Sequence, residues 1–207
     1  MAKSYLIKDL TKGEISLINA LERLLIITYS MENLEIKNWV MKEISGYKDN
    51  EKIPNYREHK SMNFTYQGIN GQMQVKNAPL PITCFPEELQ ESVSTVTISE
   101  GVGVIEKIVN KNYRPSYDLT LYAPYIYEKT GIQCLSITHN INSTIYEKVY
   151  STIRLKVIQI LLDLEKSFGV LDDLDINTGD LSKEEIKEVE RRVISIIADG
   201  KELDVND

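Results

Sequence analysis

Apolar residues recur at helical spacing in the first 50 residues of the chain. One run consists of Leu17, Leu21, Leu24, Leu25 and Thr28, and a second run of Ile36, Val40 and Ile44. Side chains three to four residues apart share one face of a helix. Ser16 and Asn33 are suitable N-caps for these two helices, and Gly46 stands where a left-handed residue after the second helix is expected. Together with a short helix from Ser4 to Leu10, this part predicts a small helical unit.

The spacing changes in the middle of the chain. Apolar side chains alternate with polar ones at Met62, Phe64 and Tyr66, and again at Met73 and Val75. A period of two on both sides of the turn segment 68–71 predicts a β-hairpin. Short strands are also predicted at residues 93–97 and from Ile132 to Thr138, with a helix from about Ser99 to Val109 between them.

The C-terminal part returns to helical spacing. A long amphipathic helix is predicted from about Ser143 to Ser167, with this buried stripe: Ile145, Val149, Ile153, Val157, Ile160, Leu161, Leu164 and Phe168. Ser182 and Glu185 have the spacing of a capping box, which predicts a final helix from Lys183 to about Ala198. Three roles stay open for this helix: docking onto its own chain, pairing with another chain, or leading into a further segment.

These patterns predict an α+β fold. It has an N-terminal helical unit, a small central antiparallel sheet and long C-terminal amphipathic helices. Residues 1–170 are expected to form one domain, and residues 171–207 an acidic linker, the terminal helix and a mobile tail. With 207 residues, the chain is long enough to bury a sizeable core without disulfide support.

Charge is distributed unevenly along the chain. Residues 172–207 contain 12 acidic and 5 basic residues, so they carry the whole net charge of −7. A neutral body predicts no tight non-specific binding of nucleic acid. No signal peptide is visible, and no uncharged apolar run approaches the roughly 18 residues of a membrane helix. Two cysteines far apart in sequence, Cys84 and Cys134, suit reduced thiols, so a cytoplasmic location without membrane partners is expected.

Residues 113–127 are rich in tyrosine. The five are Tyr113, Tyr117, Tyr122, Tyr125 and Tyr127. Tyrosines can pack in a core, form a protein interface or stack on bases, and we rank these roles in that order. Combined with the terminal amphipathic helix, the segment predicts self-association to at least a dimer.

Groups that could perform catalysis are sparse. His59 and His139 are the only histidines in the sequence, and two isolated cysteines cannot form a zinc site alone. Asp163 and Glu165 resemble half of a nuclease motif, but they fall on different faces of the predicted long helix. No catalytic residue, metal site or cofactor is therefore predicted.

One block of the sequence carries a family resemblance. It consists of Trp39-x3-Glu43-x2-Gly46-Tyr47, followed by Ile53-Pro54-x-Tyr56-Arg57. The block resembles the signature of the AbiTii family of bacterial abortive-infection proteins. The segment Ile153–Ile158 is similar to a later family helix, with Leu155 and Lys156 in place of the usual Asn and Arg. The resemblance extends over roughly residues 5–168.

The resemblance implies phage defence by self-limiting growth, without implying a particular reaction. We favour a protein that acts by binding, as a toxin, sensor or adaptor, with a protein or a phage component as its partner. Two alternatives stay open. One is an enzyme that acts on nucleotide or nucleic acid, and the other is an oligomerisation module normally attached to an effector.

The signature residues divide into two groups. Trp39 is expected to anchor a core, while Gly46 and Pro54 have backbone explanations. The candidate interaction residues are Glu43, Tyr47, Tyr56, Arg57 and Arg154.

Two hypotheses compete for the charged candidates. In the favoured one, Glu43 and Arg57 pair across the loop, because a guanidinium group can grip a carboxylate at two points. In the other, Arg57 and Arg154 converge on an anionic ligand or an acidic partner, with Tyr56 beside them.

Overall fold

The computed structural model describes residues 3–31, 33–174, 176 and 182–198. Over these residues the chain forms eight α-helices and two antiparallel sheets, which confirms the predicted α+β fold. The contacts divide the chain into two compact units. Unit 1 takes its described residues from 1–54, 99–107 and 149–207, and unit 2 consists of residues 55–98 and 108–148.

The helices and strands have the following bounds. The helices are α1 (Tyr5–Lys12), α2 (Leu17–Tyr29), α3 (Leu34–Ser45), α4 (Glu87–Ser94), α5 (Val102–Asn110), α6 (Ala123–Thr130), α7 (Ser143–Phe168) and α8 (Lys183–Ile197). The strands are β1 (Glu58–Lys60), β2 (Phe64–Asn70), β3 (Met73–Pro79), β4 (Thr95–Thr97), β5 (Ser116–Asp118) and β6 (Gln133–Asn140). Within the described part of the chain, none of the helices has the length and apolar character needed to cross a membrane.

The core of unit 1 is built from the predicted apolar helix faces. Its buried side chains include Leu17, Leu21, Leu24, Ile36, Val40, Val149, Ile153, Val157, Ile160, Leu161 and Leu164. The two predicted N-caps are confirmed. The Ser16 side chain accepts a hydrogen bond from the Asn19 N–H, and the Asn33 side chain accepts from the N–H groups of Glu35 and Ile36.

The last helix, α8, docks onto its own unit. The predicted capping box is present, with reciprocal hydrogen bonds between Ser182 and Glu185. The helix packs against α3, and its Val189 and Val193 are buried. Of the three roles left open by the sequence, docking onto the same chain is the one observed.

Unit 2 contains both sheets. Strands β1 and β4 form a small antiparallel pair, and the larger antiparallel sheet has the strand order β3-β2-β6-β5. Its core consists of Phe64, Tyr66, Leu80, Phe85, Val93, Ile126 and Ile137. Since these side chains come from β2, β6, α4, α6 and the segment 80–85, helices cover one face of the larger sheet.

The predicted hairpin is formed by β2 and β3, but its turn was placed too early. Residues from Gly68 to Asn70 still belong to β2, and the turn begins at Gly71, which has a φ of 59°. Gly68 lies at a bulge, where an added Cβ would lie 1.9 Å from the carbonyl oxygen of Gln133. Glycine is needed there because β6 approaches closely, not because the chain turns.

Three further local predictions for unit 2 need correction. Val93 lies in α4, so the predicted strand at 93–97 is reduced to β4. Strand β5 and helix α6 were not predicted from the tyrosine-rich segment that contains them. Within this segment Tyr122 packs against the core, but core packing is wrong for the other tyrosines. The exposed ones are Tyr113, Tyr117, Tyr125 and Tyr127.

Candidate functional site

The tryptophan of the signature is a core residue of unit 1. Trp39 lies in α3 and is only 5% exposed, as predicted from its position beside an apolar helix face. Ile36, Val40 and Glu43 are also buried on this helix. The signature therefore begins on a helix face that is turned into the core rather than toward solvent.

Glu43 and Tyr47 form a buried pair at the end of α3. The Tyr47 hydroxyl donates a hydrogen bond to Oε1 of Glu43 at 2.6 Å. Glu43 has 0% exposure and Tyr47 has 8%. Such a short O···O distance is typical of a hydroxyl that donates to a carboxylate. Two of the candidate interaction residues are thus bonded to each other inside unit 1.

Gly46 allows the end of α3 to approach the segment 99–101. Its φ of 91° and ψ of 174° differ from the left-handed helical conformation that we expected, and this region is open essentially only to glycine. An added Cβ would also lie 2.7 Å from the carbonyl oxygen of Ser99. The same oxygen accepts a hydrogen bond from the Tyr47 N–H at 2.8 Å. Glycine is therefore required by both its conformation and its contact.

Arg57 is a buried cation of unit 2. It ends a short 3₁₀ turn, Asn55–Arg57, and has no exposed surface. Its Nη1 donates to the carbonyl oxygen of Ile98 at 2.8 Å, and the Ile98 N–H donates to the Arg57 carbonyl oxygen at 2.9 Å. These bonds hold the segment before β1 against the residue that follows β4.

The two cations of the later family segment cap the C-termini of other helices. Nη2 of Arg154 donates to the carbonyl oxygens of Leu10 at 3.0 Å and Thr11 at 3.1 Å, in the last turn of α1. Nζ of the buried Lys156 donates to the carbonyl oxygen of Ile197 at 3.1 Å, at the end of α8. A cation at the C-terminus of a helix donates hydrogen bonds to carbonyl groups that lack a partner within the helix. It also interacts favourably with the negative end of the helix dipole.

The N-terminus of α1 is held by carboxylates. Glu165 accepts a hydrogen bond from the Ser4 N–H at 2.7 Å and another from the Ser4 hydroxyl. Asp172 accepts from the Tyr5 N–H at 2.6 Å. Burial raises the pKa of Glu165, but its hydrogen bonds from Ser4 and Lys3 outweigh burial and lower the pKa overall. Because a helix of eight residues is marginal alone, these tertiary caps are a large part of why α1 forms.

Several contacts of α7 in unit 1 were not predicted from the sequence. The Tyr150 hydroxyl donates to Oε1 of Glu106 at 3.1 Å, and burial together with the Glu106 charge raises the pKa of Tyr150 to about 12. Asp163 accepts a hydrogen bond from Nε of Arg192 at 2.9 Å. In the sequence, these residues are visible only as polar positions on a helix with a wide apolar stripe. Their partners could not be predicted because they lie far away in the chain.

The two histidines have different surroundings in unit 2. His139 is buried, and its ring centroid lies 4.4 Å from that of Phe64. Burial lowers the pKa of His139, and it also lowers the pKa of the half-buried His59. Among the residues that the structure describes, no group of three or more His, Cys, Asp or Glu side chains could hold a metal ion.

Each candidate residue now has a place in one unit. Glu43, Tyr47 and Arg154 belong to unit 1, whereas Tyr56 and Arg57 belong to unit 2. Glu43 and Tyr47 are brought together. The pairing of Glu43 with Arg57 stays a prediction, as does the convergence of Arg57 and Arg154 on an anion.

Comparison with known families gives the remaining information. The model of the AbiTii family matches residues 4–190, which is most of the chain. The chain belongs to the AbiTii family. Membership implies a role in abortive infection, a form of phage defence. The matched range includes part of α8, so it extends beyond the resemblance seen in the sequence. Neither the curated proteins nor the solved structures that were compared with the chain include a match.

Proposed function

We propose that this AbiTii protein limits phage growth by binding a protein partner inside the infected cell, as a toxin, sensor or adaptor. The observation that supports binding is that the polar signature residues make hydrogen bonds within the fold. Glu43 bonds to Tyr47, Arg57 to the Ile98 carbonyl group, and Arg154 to the end of α1. Side chains held in this way position segments of the fold, whereas a chemical step needs side chains that reach a substrate.

The exposed aromatic side chains of unit 2 are the proposed contact surface. Tyr125 is 51% exposed in α6, and Leu121 is 67% exposed in the turn that leads into this helix. The four-residue spacing and the helical conformation of the intervening residues put both side chains on one face. Tyrosine is enriched where proteins meet, because its ring gives apolar contact and its hydroxyl gives hydrogen bonds.

A plaque assay tests this proposal. Cells that express the chain should give fewer phage plaques than cells without it. The double variant Leu121→Ser/Tyr125→Ser should lose this protection while its melting temperature stays near that of the wild type, because both side chains are exposed. The matched control is Tyr29→Ser in unit 1, which changes a tyrosine that is 72% exposed and should keep protection.

Two outcomes would contradict the proposal. Full protection by the double variant would show that this surface does not bind the partner. Turnover of nucleotides or RNA by the purified wild-type chain would favour the enzyme alternative. Salt-sensitive submicromolar binding to random-sequence oligonucleotides would favour it as well, because the neutral body predicts no such affinity.

A further inference from the structure

Helices α2 and α3 carry exposed apolar side chains on the outer side of unit 1. Ile26 and Tyr29 on α2, and Leu34 and Met41 on α3, are each more than half exposed. The opposite faces of both helices are buried in the core of unit 1, so these four side chains point away from it. We call the four residues the α2–α3 patch.

A contact between the two helices joins the side chains into one surface. Nζ of Lys37 lies 4.5 Å from the centroid of the Tyr29 ring. The two helices pack together and have a short connection, so they run antiparallel. Ile26, one turn before Tyr29, is therefore level with Met41, one turn after Lys37. Leu34, one turn before Lys37, continues the surface beyond the end of α2.

The size of the α2–α3 patch is that of a surface with a partner. Its four side chains expose roughly 500 Å², whereas the largest apolar patch on a typical monomer is about 300–600 Å² and is often functional. With its polar border, the patch approaches the roughly 800 Å² that each partner contributes to a standard protein interface.

The charges around the patch are balanced, which favours one kind of partner. Glu22 and Arg23 border the end near Met41, while Glu35 and Lys37 border the end near Leu34. A membrane surface or a nucleic acid would be matched by an excess of cations. In a two-fold contact, the same surface is present on both copies. Each end of mixed charge then meets another end of mixed charge, without an excess of like charges.

We propose that the α2–α3 patch is the contact between two copies of this chain. The two helix pairs pack face to face across a two-fold axis, with Ile26, Leu34 and Met41 at the centre and the charged residues at the border. The terminal helix α8 packs against its own unit, so it is not the element that joins the copies.

This contact does not depend on the proposed partner surface. The α2–α3 patch belongs to unit 1, whereas Leu121 and Tyr125 belong to unit 2. Tyr29→Ser should therefore still protect against phage, even where it weakens the dimer.

Sedimentation of the full chain over a wide concentration range tests the contact. The wild type should shift from the mass of one chain toward that of two. Ile26→Glu/Met41→Glu should raise the dissociation constant of the dimer at least about tenfold, because dimerisation would bury carboxylates in an apolar contact. The matched control is Leu155→Glu/Val170→Glu, which changes two other residues of unit 1 with similar exposure and should dimerise like the wild type.

Circular dichroism shows whether each variant is folded. The milder variant Ile26→Ser/Met41→Ser should also weaken the dimer while the helix content is kept. A wild type that stays monomeric at all concentrations would overturn the proposal. It would also be overturned by a folded patch variant that dimerises like the wild type, or by a control variant that loses the dimer to the same extent.

Cross-linking tests the contact without any substitution. Isotope-labelled and unlabelled wild-type chains are mixed, equilibrated and treated with an amine-specific cross-linker, and links between the two kinds of chain are identified by mass. These links should include Lys37 or Lys42, which lie on α3 beside the patch. Links between chains that involve only lysines outside α2 and α3 would overturn the proposal.

Discussion

Replacing Tyr47 with phenylalanine tests whether the Glu43–Tyr47 pair holds unit 1 together. The change removes only the hydroxyl that donates to Glu43 at 2.6 Å, and it leaves the backbone bond from Tyr47 to Ser99 intact. Hydrogen bonds to charged groups contribute about 1.5–3 kcal/mol, and both residues of this pair are almost fully buried. We expect Tyr47→Phe to lower the free energy of unfolding by about 2 kcal/mol.

Thermal and urea unfolding measure this effect. For a chain of this size, about 2 kcal/mol corresponds to a decrease in Tm of roughly 4–8 °C. Glu43→Gln and the double variant complete a cycle, in which a coupling energy of about 1–2 kcal/mol is expected. Tyr125→Phe removes a hydroxyl from an exposed side chain and is the matched control, with an expected change within about 0.5 kcal/mol. A Tyr47→Phe variant as stable as this control would refute the structural role of the pair.

Three further predictions address the core, the buried histidine and the assembly. Trp39→Ala should cost roughly 3–5 kcal/mol because it empties a core position, and an unchanged melting temperature would count against core packing. His139 has a lowered pKa in the folded state, so its contribution to stability is present above the unfolded pKa and is lost as pH falls through the range below it. Between pH 7 and pH 5 the wild type should therefore lose stability more steeply than His139→Gln, by at most about 1.4 kcal/mol per pH unit. Urea unfolding at several pH values measures this, and an equal change in the free energy of unfolding with pH in both proteins would exclude the effect. Light scattering should show at least a dimer, whereas a concentration-independent monomer mass would reject self-association.

Local patterns predicted much of the fold because they depend on neighbours in sequence. The faces of α2, α3 and α7 follow from a period of 3.6 residues, and the caps at Ser16, Asn33 and Ser182 follow from short side chains that bond the next helical turn. The β2–β3 hairpin was found for the same reason. Its turn was misplaced because Gly68 serves a contact with β6, which no local pattern shows.

The roles of the charged residues could not be predicted because their partners are distant in the chain. Arg154 and Glu165 cap opposite ends of α1, more than 140 residues away. Lys156 reaches the end of α8. From sequence alone, the less favoured of two hypotheses placed Arg154 near an anionic ligand or an acidic partner, because a cation in a family segment is compatible with either role. No local pattern shows that the last turn of α1 lies next to Arg154 and accepts its hydrogen bonds.

The central claim is that the signature residues support the fold and that protection comes from binding elsewhere on the protein. The most direct test is to measure, in the same cells and over a series of growth temperatures, the phage protection and the folded fraction of Tyr47→Phe. Our account predicts that the variant protects like the wild type wherever it is folded, and that protection falls only as the folded fraction falls. A variant that is fully folded but gives no protection would contradict the account, because Tyr47 would then act directly in phage defence.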